Sequence, residues 1–220
     1  MGDLSVLQLI AVYALPVIFA ITLHEAAHGY VAWLLGDPTA RLLGRVTANP
    51  IKHIDPVGTL LVPGLILLAS KAMGGAALFG WAKPVPVDML KLRKPRRDMG
   101  LVAAAGPGAN LIMAFGWGVL LKAMILLDMS SEFFIRMAFA GITVNLVLGV
   151  LNLLPVPPLD GGRILVSLLP ANAAATLSRL EPYGFMILLV LLFSGVLSSV
   201  VMPFANGGMT LILSILGFER

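Results

Sequence analysis

A chain of 220 residues with 59% hydrophobic and only 12% charged residues and a mean hydropathy of +0.97 lies far outside the composition of soluble domains. That excludes a soluble enzyme, and the formal net charge of +4 comes from scarce charges rather than a basic face, which excludes a nucleic-acid binder. With no cysteine, disulfides, thiolate metal sites and cysteine nucleophiles are excluded as well.

The opening Met1-Gly2-Asp3 lacks the basic start of a secretory signal, and Val6 stands where myristoylation needs Ser or Thr. The first apolar stretch, residues 4–35, is therefore expected to remain in the mature chain. It is broken only by Pro16 and by the polar group His24, Glu25 and His28. As a helix it would run roughly 48 Å, more than a bilayer core of about 30 Å, so it must tilt, kink or project. Residues 101–127, 133–154 and 183–202 are each long enough to cross as helices. Residues 57–70 are too short and carry Pro63-Gly64 at their middle, which favours a re-entrant or hairpin segment. Residues 209–216 are too short to span and are expected at an interface or capping the bundle. The expected fold is a polytopic α-helical membrane protein with about four full transmembrane helices plus re-entrant or short segments.

Arg41, Arg45 and Lys52 follow the first helix, and Lys91, Arg93, Lys94, Arg96 and Arg97 precede the run at 101–127. Both clusters belong inside by the positive-inside rule, and one full crossing at 57–70 would separate them. Residues 36–99 are accordingly read as a cytosolic-side insertion that dips into the membrane, within a single membrane-embedded domain spanning 1–220. Asp128 and Glu132 then lie outside, Arg163 and Arg179 inside, and the N-terminus is external. The basic run at 91–97 reads as a topology anchor, with binding of anionic lipid or a partner as the alternative. No solenoid repeat or low-complexity linker breaks the pattern, and no room is expected for an appended soluble domain.

Ionisable groups within an apolar helix are costly, so His24, Glu25 and His28 carry the first functional signal. Histidines four apart share a helical face and can grip one zinc ion, with the glutamate between them placed to accept a proton from an attacking water. The bland alternative is a polar packing cluster or a proton relay. Two ligands do not complete a catalytic zinc site, and Gly29-Tyr30-Val31 offer no third. His53 and Asp160 remain as candidates. Asp160 closes Asn152-Leu153-Leu154-Pro155-Val156-Pro157-Pro158-Leu159-Asp160-Gly161-Gly162, where three prolines must unwind the helix. Unwound backbone at membrane depth is tolerated only where protein or water surrounds it, a setting suited to a ligand. Counted from an external start, His24 lies roughly 30 Å along its helix, and Asp160 follows a span running the same way, so the two meet at similar depth. The alternative for Asp160 is a helix N-cap.

These segments resemble the site-2 protease family of intramembrane zinc metalloproteases, in its compact form without PDZ or CBS domains. The likeness rests on His24-Glu25-Ala26-Ala27-His28, on the Asn152 to Gly162 segment and on Ala105-Gly106-Pro107-Gly108-Ala109-Asn110. Gly36-Asp37-Pro38-Thr39-Ala40, Asn49-Pro50-Ile51-Lys52-His53-Ile54-Asp55-Pro56-Val57-Gly58-Thr59, Phe79-Gly80-Trp81-Ala82-Lys83-Pro84-Val85-Pro86-Val87-Asp88 and Leu180-Glu181-Pro182-Tyr183-Gly184 extend it. The resemblance implies that His24, His28 and Asp160 bind one zinc ion and that Glu25 is the general base. It implies substrates that are single-span transmembrane proteins or remnant signal peptides, and a cell-membrane location with the site toward the cytosol. It also suggests a small membrane-associated β-hairpin or sheet in the 36–99 insertion, with 41–47 and 85–87 as strand pieces that guide an extended substrate.

Asn110 is a candidate for holding the substrate or a developing oxyanion, against a plain interhelical hydrogen bond. Asn152 is a second substrate-binding candidate, and Asn145, seven residues earlier on the same face, is a weaker one. His53 reads as a local structural or gating residue. The eleven methionines fill the bundle. A metal-ion transporter using the His and Asp groups is the competing function, disfavoured because no second copy of the motif marks a repeated half. A non-catalytic binding protein is a third reading, against which the intact Glu25 stands.

Overall fold

The structure, a computed structural model, describes residues 6–55, 58, 61, 83–129 and 131–218. Helix α1 runs Val6–Leu34 with Pro16 inside it. A short α2, Thr39–Leu42, follows. Then come α3 at Pro95–Leu126 and α4 at Glu132–Leu153. The shorter α5, Asp160–Leu168, and α6, Ala171–Ser178, lead into α7, Gly184–Phe193, and α8, Val196–Ile215. Among the described residues five helical segments are long and apolar enough to cross a membrane: Ile10–Leu34, Pro95–Leu126, Glu132–Leu153, Ala171–Phe193 and Val196–Ile215. The protein is thus a multi-pass helical membrane protein. Large apolar side chains such as Leu7, Ile112, Leu126 and Phe204 point outward, as a surface solvated by lipid tails allows.

Helix α1 packs against both α3 and α4, α3 also packs on α5, and α4 on α8. One buried cluster, Ala114, Leu121, Ala138, Ile142, Leu146, Ala205 and Ile212, joins α3, α4 and α8. Glycines admit the close approach: Gly141 sits against the Trp117 ring, Gly118 against Ile212 and Leu216, and Gly208 against Leu146. In lipid, where helices gain little from hydrophobic exclusion, such small-residue contacts supply the packing that holds a bundle together.

The expected β-hairpin or sheet is not there: the described residues contain no strand. Residues 41–47 instead finish α2, turn at Gly44 with φ +64° and continue as a bend. Asp37 starts that local structure by accepting the Thr39 N–H at 2.9 Å, and the Arg41 guanidinium lies over the Trp33 ring at 3.9 Å. Residues 83–88 lack helix and strand alike, and Pro84 and Pro86 deprive the backbone of every second donor a ladder needs.

The C-terminal spans also differ from expectation. Residues 183–202 do not form one helix, because α7 ends at Phe193 and Gly195, two residues on, has the φ of +76° of the left-handed stop that glycine permits. Residues 209–216 are not a separate short segment but belong largely to the 20-residue α8. Asn206-Gly207-Gly208 stays helical there because Gly208 seats on Leu146 of α4. The segment at 57–70, expected to be re-entrant, lies outside the described residues apart from Gly58 and Leu61.

Candidate active site

Spacing of four on α1 turns His24 and His28 to one side, and their Nε2 atoms stand 3.1 Å apart. Asp160, the first residue of α5, brings its Oδ2 to 3.2 Å from His24 Nε2 and 3.3 Å from His28 Nε2. All three residues are largely buried, at 8%, 9% and 7% exposure. Asp160 comes into place because the chain leaves α4 at Leu153 and stays irregular through the prolines to Leu159. Gly161 and Gly162 lie so close to the backbone of Leu153, Leu154 and Pro157 that a side chain at either would collide with it. The N-cap position of α5 is Leu159, and Asp160 is its first helical residue.

The outer nitrogen of each imidazole is fixed. His28 Nδ1 donates to the Val102 carbonyl at 2.7 Å, and His24 Nδ1 donates to Asn110 Oδ1 at 2.6 Å. That orientation of Asn110 follows from its amide nitrogen, which donates to Asn145 Oδ1 at 2.9 Å and to the Ala20 carbonyl at 3.3 Å. With both Nδ1 protons spent outward, two Nε2 lone pairs and a carboxylate oxygen face one another. Asp160 Oδ2 is also a buried atom without a hydrogen-bond partner. Three acceptors in mutual contact repel unless a cation sits among them. Ligands about 2.0–2.1 Å from a tetrahedral zinc stand about 3.3 Å from each other, which is the spacing of this triangle. Its donor set of two imidazoles and one carboxylate, with a position left open, suits zinc in a hydrolytic site. Outer-nitrogen bonds of this kind orient metal-binding histidines generally.

Helix α3 backs the triangle through Gly106, where a methyl group would strike His28 Nε2 and the His24 ring. Glu25, half-buried beside the histidines, accepts the Val85 N–H on Oε2 at 2.9 Å. A cavity of about 360 Å³ opens here, with His24, Glu25, His28, Asp160, Asn152 and Arg163 as polar lining and Pro84, Val85 and Val87 along one wall.

Of the residues singled out from sequence, the structure brings His24, Glu25, His28, Asp160 and Asn152 to this cavity. It places Asn110 behind His24 instead, fully buried and with both amide donors engaged, so no donor is left for a substrate or oxyanion. Asn145 supports Asn110 and bonds the Gly141 carbonyl at 2.8 Å. Asn152 donates to Leu148 O at 3.0 Å. His53 is not one of the grouped ligands; it is buried elsewhere and bonds the Thr47 carbonyl through Nε2 at 3.1 Å. Sequence reasoning had Gly106 only as part of the motif from Ala105 to Asn110 and Arg45 only as a topology charge, and it missed Val102. For Gly106 a signal existed in the small-residue run at 103–109; a carbonyl such as that of Val102 leaves no signal.

A membrane bundle that brings an HExxH helix together with a distant aspartate defines a metal-centred membrane protein, and comparison with known proteins supplies its family. The family model for peptidase family M50 matches residues 117–195. The chain is 42% identical over 214 residues to "Putative zinc metalloprotease YwhC" of Bacillus subtilis, covering 95% of this chain and 92% of that one. It is 33% identical to proteins of the same designation named Rip2 from Mycolicibacterium smegmatis, across 82% of this chain and 66% of that one, and from Mycobacterium tuberculosis, across 81% and 65%. No solved structure matches. The chain belongs to peptidase family M50, the site-2 protease family of intramembrane zinc metalloproteases. Nothing in these likenesses supports metal transport.

Proposed function

We propose that this protein is a zinc-dependent endopeptidase that cleaves peptide bonds within or near the transmembrane segments of membrane-protein substrates, with Glu25 as general base. His24, His28 and Asp160 would hold one zinc ion. The observation that carries the reading is the triangle of two bare Nε2 atoms and Asp160 Oδ2 at 3.1 to 3.3 Å. Zinc bound there supplies Lewis-acid polarisation of the scissile carbonyl and lowers the pKa of water. Glu25, beside the histidines and on the cavity wall, takes the proton of the attacking water and returns it to the departing amide nitrogen. The Val85 N–H engages one Glu25 oxygen and leaves the other for that transfer. Asn152 lines the cavity while one amide N–H bonds the Leu148 carbonyl, and we assign it a contact with an unwound substrate. The apolar wall of Ile21, Leu148, Leu151, Phe185 and Leu188 accommodates side chains of a membrane-spanning segment.

The substrates proposed are single-span proteins or remnant signal peptides, cut by the single domain at 1–220 in the cell membrane. The 36–99 insertion and the site would lie toward the cytosol. Cleavage of a panel of tagged single-span substrates, with zinc content measured alongside, tests the chemistry. Glu25→Gln should retain zinc and lose at least about a thousandfold in turnover; equal activity of variant and parent would remove the mechanism. Orientation is checked by single introduced cysteines. Arg41→Cys and Arg96→Cys should react only from the cytosolic side and Met129→Cys only from outside.

A further inference from the structure

Residues 83–88 form a strap along the cavity, and its backbone is tied at both ends. Lys83 N–H donates to the His53 carbonyl at 2.9 Å, and Asp88 N–H donates to Asp37 Oδ2 at 2.6 Å. Between them the Arg45 guanidinium donates through Nη2 to Lys83 O at 2.6 Å, with Pro84 O at 3.4 Å. Directly beyond these two carbonyls is the Val85 N–H that bonds Glu25. Pro84 and Pro86 carry no N–H, so Val85 presents an isolated donor to the cavity side of the strap. Gly29, one residue past His28, lets the strap come down on α1, its missing side chain leaving room for Val85 Cγ1.

Arg45 is an expensive clamp. It is 8% exposed, has no ion-pair partner among the described residues, and leaves its Nε without a hydrogen bond. A buried, unpaired cation that merely fastened a loop would be readily replaced by apolar packing, which is often neutral or stabilising. What the guanidinium fixes is the peptide next to the one that touches Glu25. Glu25 itself extends from a helix on a side chain with three rotatable bonds, and among the described residues its carboxylate has no hydrogen bond to α1.

We propose that Arg45 and the backbone N–H of Val85 form a positioning pair: Arg45 locks the Lys83 and Pro84 carbonyls, and the Val85 N–H thereby holds the Glu25 carboxylate in the geometry for proton transfer. This rests on Glu25 acting as the base. Arg45 is a positioning residue, acting through the strap, and touches neither the substrate nor the metal ligands. Small displacements of a proton acceptor slow the chemical step far more than they weaken binding, by about 10- to 100-fold for a misplacement near 1 Å.

The test uses the full-length protein in detergent or bilayers, with cleavage of one tagged single-span substrate, zinc content, and hydrogen exchange of the strap. Arg45→Met and Val85→Pro should each lower kcat about 10- to 100-fold with KM changed less than about twofold and zinc retained. Proline is tolerable at 85 because Pro86 already confines that residue to extended backbone, and Val85→Pro should lose far more than Val85→Ala, which keeps the N–H. Arg45→Lys, lacking the flat fork, should rescue only partly. In a Glu25→Asp background, where the shortened carboxylate no longer reaches Val85, Arg45→Met should add less than about a twofold further loss. By exchange, Glu25→Ala should unprotect the Val85 amide and leave Lys83 and Asp88 protected. Equal multiplicative losses from Arg45→Met in both backgrounds, or an unchanged Val85 amide in Glu25→Ala, would overturn the proposal. Full activity of Glu25→Gln would instead overturn the base assignment on which it rests.

Discussion

The metal triangle and the strap flank the same residue, Glu25, but they are made by opposite means. The triangle is set by helix geometry: two ligands four apart on α1, a third at the first turn of α5, and a glycine on α3 that lets all of them close up. The strap has no regular structure at all and is held by separate hydrogen bonds to residues 30 to 60 positions away, those to His53, Arg45, Glu25 and Asp37. A periodic device fails when its packing is violated, whereas a stitched one fails bond by bond. Variants of the triangle should therefore abolish metal binding, and variants around the strap should lower rate or stability by degrees.

The largest expected effect is from Gly106→Ala. The added methyl falls on His28 Nε2 and the His24 ring, and α3 cannot back away without losing the bonds from the histidines to Val102 and Asn110. Zinc content after dialysis against a mild chelator should drop to near zero and cleavage with it. Gly108→Ala, two residues on, meets nothing within 4 Å and should keep its metal. Retention of zinc by Gly106→Ala would mean that the triangle is looser than its packing implies.

This contrast also explains what could be read from the sequence. The pairing of His24 with His28 and the unwinding before Asp160 are local, written as a spacing of four and as a run of prolines. The polytopic helical class follows from composition. The ends of the last spans were misjudged because Asn206-Gly207-Gly208 looks like a break, and only a neighbouring helix with Leu146 in position makes it continuous. The strand pieces at 41–47 and 85–87 came from the resemblance alone, and at Val85 the N–H that a strand would share goes to a side chain on α1. Asn110 was found as a residue of interest with two readings open, a substrate contact or an interhelical hydrogen bond, since which group its amide meets depends on how α1, α3 and α4 cross.

A smaller effect separates the two ligand histidines. His28 is oriented by a backbone carbonyl that no side-chain substitution removes, while His24 depends on the Asn110 side chain. Asn110→Ala should weaken zinc affinity about 10- to 100-fold, the usual consequence of deleting such an outer partner. It should also lower the melting temperature, because Asn145 Oδ1 and the Ala20 carbonyl lose their donor. Competition against a chelator of known affinity measures the first and thermal unfolding in detergent the second. An unchanged affinity would show that the triangle is self-sufficient and that Asn110 serves only helix packing.

The smallest effect is a pH dependence confined to the stitched region. Burial pushes the His53 imidazole below its ordinary value of 6.5; the bond to the Thr47 carbonyl and the charge of Glu25 oppose that shift, and Arg45 adds to it. Burial would raise the Asp37 carboxyl, but its bonds from Thr39 and Asp88, with the Lys91 charge, bring it below 3.8. For His53 the unfolded chain takes up a proton first, so the stabilisation is complete above about 6.5 and is lost as pH falls from there toward the folded value. Asp37 acts in the same direction but lower, its contribution being present above about 3.9 and lost on further acidification. Acidification from pH 7.5 to 5 should thus lower the melting temperature through His53, with Asp37 still ionised. His53→Ala should start less stable, since it leaves the Thr47 carbonyl without its donor, yet show a flatter decline across that interval. A slope equal to that of the parent would assign the acid sensitivity to groups outside the strap and its anchors.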